Sequence, residues 1–182
     1  MRWYSSSLSP SSAQGCCRSG ESIAAWTVSY FNTSAWSATG RSLPVDTTNV
    51  NTAKSALRTY ASGGTDINRA IQTVLSQRDP GLPRSSIIVI TDGLDWGVTA
   101  AAKTVSDAVN RSGNVRVFVL GVGDDVSHAM CEALARAGAG ATAYIAETDL
   151  LDNDKTDKKA YNMIGNISRS PILVRRVNWN VL

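Results

Sequence analysis

Gly63-Gly64-Thr65-Asp66-Ile67-Asn68-Arg69-Ala70-Ile71-Gln72-Thr73-Val74-Leu75 and, further on, Ser86-Ile87-Ile88-Val89-Ile90-Thr91-Asp92-Gly93 decide how this chain is read. In the first stretch Ile67, Ala70, Ile71, Val74 and Leu75 recur at helical spacing and form an apolar stripe. Asp79-Pro80-Gly81 stops that helix, because proline has no N–H to continue the ladder. In the second stretch the apolar run from Ser86 to Ile90 predicts a buried strand covered on both faces. Thr65 therefore stands at a helix start and Asp92 just past a strand end.

Outward from these two stretches the same alternation continues. Ile23 to Phe31 and Ser34 to Leu43 are rich in β-branched and aromatic residues and flank Asn32-Thr33, which predicts two strands joined by a tight turn. Ala53, Ala56, Leu57 and Tyr60 fall at helical spacing. A helix is expected over about Thr99 to Asn110, then a second buried strand from Val115 to Leu120. Asp125 or Ser127 can cap a helix carrying Met130, Ala133, Leu134 and Ala137, with Gly138 as its stop. Thr142 to Ala146 is a third strand, Ala160, Met163, Ile164 and Ile167 mark a last helix, and Ile172 to Val177 a final strand. Strands alternating with helices imply crossover units, hence an α/β fold with a mostly parallel sheet and helices on both faces. In such sheets ligands sit beyond the carboxyl ends of the strands, an end that the Thr65 and Asp92 loops both reach.

Composition narrows the function classes. A chain of 182 residues, 43% hydrophobic and 18% charged, fits one globular domain with a real core. The net charge of +3 comes from scattered basic residues, which does not point to nucleic acid. No apolar run is long enough for a membrane helix, and no secretory apolar core follows Met1, so the expected location is cytoplasmic. Three cysteines, two of them the adjacent Cys16 and Cys17, define no disulfide framework. Residues 1–22 are Ser-, Gly- and Cys-rich without periodicity and read as a disordered or non-native segment, followed by a domain over 23–170 and a departing strand over 171–182.

At this point the residues resemble a von Willebrand factor type A domain. Gly63-Gly64-Thr65-Asp66-Ile67 and Thr91-Asp92-Gly93 are similar to two of the three loops that build that family's metal-ion-dependent adhesion site. Leu120-Gly121-Val122-Gly123, Ser127-His128-Ala129, Ala135-Arg136-Ala137-Gly138 and Val177-Asn178-Trp179 resemble the type A domains found beside VIT domains, as in inter-alpha-trypsin inhibitor heavy chains. The resemblance implies a three-layer Rossmann-like fold and a protein-interaction module, not an enzyme. It assigns Thr65 and Asp92 as metal ligands, with Gly64, Asp66, Gly93, Asp95 and Trp96 on the ligand face. It also implies a protein partner that binds through an acidic side chain.

The sequence departs from the family at one loop. No Asp-x-Ser-x-Ser stands upstream of Gly63, so the resemblance implies a missing first central strand and an N-terminally truncated chain. A hard ion such as magnesium needs several oxygen ligands, so Mg2+ is the implied ion, held weakly or not at all. Other readings stand beside these. Thr65 could cap the helix that follows, and Asp92 could simply make a turn. Trp26, Trp36, Trp96 and Trp179 could form an aromatic binding surface, though packing in the core or at its edge is the more usual fate. His128 has no second histidine with which to build a zinc site, Cys131 reads as a small core residue, and Asp152 to Lys159 reads as a solvated loop. Two further functions compete: a Rossmann-like enzyme or nucleotide binder, for which Gly121-Val122-Gly123 supplies only part of a fingerprint, and a nonfunctional fragment of a larger VIT-containing protein.

Overall fold

The computed structural model describes residues 25–56, 63–78, 84–95 and 97–168. Leu57, Tyr60, Trp96, Trp179, Cys16, Cys17 and the predicted final strand from Ile172 to Val177 lie outside them. The chain enters through β1 (Ala25–Trp26), which pairs antiparallel with β4 (Leu43–Pro44). Between them β2 (Ser29–Phe31) and β3 (Ala35–Ser37) form the expected hairpin. Its turn is closed by Asn32, whose backbone N–H donates to Ser34 O at 2.7 Å and whose side-chain oxygen accepts from Ser34 N at 2.8 Å. Helix α1 (Thr47–Ala56) follows, with Asp46 accepting from Asn49 N at 2.7 Å as its cap and Ala53 turned inward.

The parallel sheet is built from β5 (Ser85–Thr91), β6 (Val115–Val122) and β7 (Thr142–Ile145), in that spatial order. Ser85 pairs with Val115 and Thr91 with Gly121 in one ladder, and Val122 pairs with Ile145 in the next. Helices α2 (Ile67–Gln77), α3 (Val98–Ser112) and α4 (His128–Ala137) cover one face. Ile67 and Ile71 from α2, Ala101 and Val105 from α3, and Met130 and Leu134 from α4 pack there on Ile87, Val89, Val117 and Val119. Fully burying a side chain of this kind is worth about 1.5–3 kcal/mol, so this face dominates the fold's stability. A short α5 (Glu147–Leu150) leads into α6 (Asn153–Ser168), which packs on the opposite face, where Met163 meets Phe118, Leu120, Val122 and Ile145. Helices thus lie on both faces of a parallel sheet, as expected.

The close approach of the chain to β6 requires glycine at one place. A Cβ on Gly140 would stand 1.9 Å from Val117 O, a contact with the backbone of the central strand that no side chain could relieve. The segment reaches so near because Val117 N donates to Gly138 O and Val119 N to Ala141 O, each at 3.0 Å.

Two expectations are corrected here. The run from Ile87 to Ile90 is covered on one face only: Ile87 and Val89 are buried, whereas Ile88 and Ile90 are 43% and 39% exposed. An apolar run looks the same whether one face or both are covered, and α6 covers β6 and β7 without burying the two isoleucines. The charged run from Asp152 to Lys159 is largely helix. Asp152 caps it by accepting from Lys155 N at 3.2 Å, and its lysines are good helix formers on an open surface.

Candidate functional site

The Thr65 loop is positioned by the hairpin. Asp66 N donates to Asn32 O at 2.8 Å. Gly63 adopts a φ of +91°, and a Cβ there would meet the Asn32 side chain at 3.2 Å, so the loop can turn this tightly against Asn32 only with glycine. The cap of α2 is Asp66, whose carboxylate accepts from Arg69 N at 2.8 Å and lies 3.5 Å from Arg69 Nε. Thr65 is therefore not the capping residue. Both residue types cap well, and only the path of the turn decides which side chain swings back over the first helical N–H groups.

Released from capping, the Thr65 hydroxyl lies against the other loop. A Cβ built on Gly93 would stand 2.4 Å from Thr65 Oγ1, so glycine at this position is what lets the two loops meet. The neighbouring Asp92 is exposed at the carboxyl end of β5, directly after the buried Thr91. The Thr65 loop thus meets the Asp92 loop at Gly93.

Asp95 braces both loops. Its Oδ2 accepts from Ile67 N at 2.8 Å and its Oδ1 from Gly97 N at 2.6 Å. Gly97 is the N-cap of α3 and Ile67 the first residue of α2, so one carboxylate serves the starts of two helices. The partial positive charge at both helix starts favours this placement. Asp66 and Asp95 were both expected on the ligand face. Each carboxylate accepts from backbone N–H and so helps to hold its loop in shape. Gly64 packs toward Thr33, where a Cβ would meet the Thr33 methyl at 3.2 Å. One contributor was not foreseen: Leu94, 55% exposed, borders a hollow of about 250 Å³ with Asp95, Val98 and Ser127. An apolar residue inside the otherwise polar Asp92-to-Asp95 loop was the signal that could have revealed it.

The remaining candidates are structural. The His128 ring stacks on Tyr144 with centroids 4.0 Å apart, and the Tyr144 hydroxyl donates to His128 O at 3.3 Å. Cys131 is fully buried under the sheet, and burial pushes its thiol pKa up, which makes it unreactive. Ser127 caps α4 by accepting from Met130 N at 3.2 Å. The Gly123 loop tucks against β7, with Gly123 N donating to Ile145 O at 2.8 Å, and Asp124 accepts from Glu147 N at 3.2 Å.

The donor set can be tested against a hard dication, which wants about six oxygens in near-octahedral array. This surface offers the Thr65 hydroxyl and the Asp92 carboxylate. Among the described residues no three His, Cys, Asp or Glu side chains gather to hold a metal. Two ligating side chains fall short of a cage among the described residues.

The family model described as von Willebrand factor type A domain matches residues 21–144, more than half of the chain. The chain belongs to the von Willebrand factor type A family. Solved structures agree on the fold. A von Willebrand factor type A protein from Catenulispora acidiphila is similar with a TM-score of 0.62 at 23% identity, over 83% of this chain and 36% of that one. The conserved hypothetical protein BatB from Bacteroides thetaiotaomicron is similar with a TM-score of 0.53 at 21% identity, over 75% and 80%. Proximal thread matrix protein 1 from the mussel byssus is similar with a TM-score of 0.62 at 17% identity, over 79% and 34%. The type A fold explains why the Thr65 and Asp92 loops share one end of the sheet.

Proposed function

We propose that this type A domain is a protein-interaction module that uses the surface around Thr65, Asp92 and Leu94, with an adhesion site too incomplete to hold a metal tightly. The observation that carries the reading is the contact of the Thr65 hydroxyl with Gly93, beside an exposed Asp92, at the carboxyl end of the parallel sheet. Ligands of open α/β sheets bind at that end. The partner is a protein that engages this surface through an acidic side chain where an ion is present, with Leu94 offering an apolar contact beside it. Magnesium, if held, takes Thr65 and Asp92 as its protein ligands and leaves most positions to water and the partner. The domain binds and does not catalyse. The burial of Cys131 and the stacking of His128 on Tyr144 support that reading, since each side chain is engaged in packing. The Leu120–Gly138 motifs support assignment to the VIT-associated branch of the family.

Paramagnetic titration tests the site. Manganese, followed by loss of the free-ion resonance, is expected to bind in the millimolar range or weaker, and Asp92→Ala should remove what binding there is. Micromolar affinity would contradict an incomplete site, and binding undiminished by Asp92→Ala would place the ion elsewhere. Selection from a displayed peptide library with manganese present tests the interaction. Enriched peptides should carry Asp or Glu and lose binding to Asp92→Ala; enrichment indifferent to Asp92 would sink the proposed surface.

A further inference from the structure

We infer that the end of the sheet opposite Asp92 is a second interaction surface, where Arg78, Arg84, Arg111, Arg116 and Arg136 together receive an acidic segment of a partner protein. These arginines are scattered in sequence and gathered by the fold. Arg78 is the C-cap of α2, and Arg111 and Arg136 stand in the last turns of α3 and α4. Arg84 directly precedes β5, and Arg116 is the second residue of β6. In a parallel sheet with crossover helices, helix ends and strand starts lie at the same end.

Hydrogen bonds tie these positions together. Arg78 Nη1 donates to Ser112 Oγ at 3.2 Å and to Asn114 Oδ1 at 2.9 Å, and Ser85 N donates to Asn114 O at 2.8 Å. Arg78, Arg84 and Arg111 therefore flank one junction. Arg116 Nε donates to Ala139 O at 3.1 Å, and Ala139 N to Arg136 O at 3.3 Å. Ser85 faces Val115 in the ladder, so both groups share one rim.

Stabilising helix ends accounts for only part of this charge. The carboxyl ends of α2, α3 and α4 bring about half a negative charge each, and with Asp79, which follows Arg78 in the chain, they still leave a surplus of about two to three positive charges. Among the described residues Arg78, Arg111 and Arg136 form no ion pair with a carboxylate. Arg84, Arg111 and Arg136 are exposed. The forks are also set in place before a ligand arrives. Arg78 uses Nη1 on neutral oxygens and Arg111 uses Nε on Asp107 O at 3.1 Å, while the Arg116 guanidinium lies 4.7 Å over the centre of the Phe118 ring. An anchored guanidinium loses little freedom when it grips a carboxylate through two N–H groups.

The size of the surplus selects the partner. It matches two or three carboxylates of a short extended segment. A nucleic acid that engages about 6–10 phosphates calls for more cations. So does a lipid surface, which recruits clusters of about 4–8 basic residues. A second copy of this chain carries the same net charge of +3 and is repelled.

Fluorescence anisotropy of labelled decaglutamate, titrated with the full chain, tests this. The peptide should bind, and more weakly as salt rises from about 50 to 200 mM. Arg111→Glu with Arg136→Glu should weaken binding by about tenfold or more. Asp92→Ala, at the opposite end, should retain it, which separates this surface from the adhesion site. Absent binding, binding equal in the double variant, or binding lost in Asp92→Ala would each overturn the proposal. Tighter capture of oligothymidylate or of phosphatidylserine vesicles than of decaglutamate would overturn the choice of partner. Self-association in sedimentation that the double variant abolishes would also overturn it, by assigning the surface to a second copy. Should the double variant lose its fold by circular dichroism, Arg111→Gln with Arg136→Gln takes its place under the same criteria.

Discussion

Substituting Gly93 by alanine offers a direct probe of the meeting of the two loops. The new methyl would stand 2.4 Å from Thr65 Oγ1, 3.4 Å from its Cβ and 3.6 Å from its Cγ2. Only the first contact is impossible, and the hydroxyl must retreat by about 1 Å to reach an ordinary separation. Overpacking of this kind costs about 1–3 kcal/mol. Gly93 does not have a positive φ, so alanine meets no backbone strain there. In a Thr65→Ala background the offending oxygen is gone. Gly93→Ala should then be neutral, or stabilising by about 0.4–1 kcal/mol through the unfolded chain. The double-mutant cycle should therefore show a coupling of about 1–3 kcal/mol, read from urea unfolding midpoints of the four proteins at constant m. A cost of Gly93→Ala that is the same with and without the Thr65 hydroxyl would refute the contact, and with it the shared surface.

The carboxylates near the site should behave as frame rather than ligand. Asp95→Ala leaves the N–H groups of Ile67 and Gly97 without their acceptor and should cost about 1–3 kcal/mol in urea unfolding, more than the roughly 1 kcal/mol of Asp66→Ala at the cap. Gly140→Ala should cost about 3 kcal/mol or more, because the methyl meets Val117 O at 1.9 Å and neither backbone can yield; calorimetry should show the loss in Tm. Asp149 is held below the ordinary carboxylate range chiefly by its hydrogen bond from Lys159 and then by Ala146 N. A carboxylate whose folded pKa is lowered stabilises the protein above its unfolded pKa and loses that contribution as pH falls through the folded value. The stability gap between the unaltered protein and Asp149→Asn should therefore be full at neutral pH and close below about pH 4. A gap unchanged down to pH 2 would contradict the pairing.

Most of the frame was legible because its signals are local. The stripe Ile67, Ala70, Ile71 and the cap-to-stop pattern from Ser127 to Gly138 state their helices within a dozen residues. The burial of β6 from Val117 to Val122 likewise follows from the apolar run there. What stayed hidden depends on distant parts of the chain. Whether Ile88 is covered depends on how far α6 reaches, which no pattern inside β5 records. α5 escaped notice because four residues cannot display a period, and its order comes from Asp149 accepting Ala146 N at 3.1 Å. At the site, the approach of the Thr65 loop to the Asp92 loop could be expected from motif order. The division of labour between Thr65 and Asp66 could not, since both are capping residues and only the Asn32 contact sets the turn. The bracing role of Asp95 was hidden because its two backbone partners, Ile67 and Gly97, belong to the starts of different helices.

Asp95 also bears on how the surface meets a partner. By tying the starts of α2 and α3 to one carboxylate, it makes the Thr65 loop and the Asp92 loop a single body that shares one set of motions. A partner docking on both loops then has less freedom to quench than if each loop moved alone, so its affinity reflects contact more than ordering. The same tie limits signalling: a push on either loop is passed to two helix starts at once, and the surface yields as a unit or not at all.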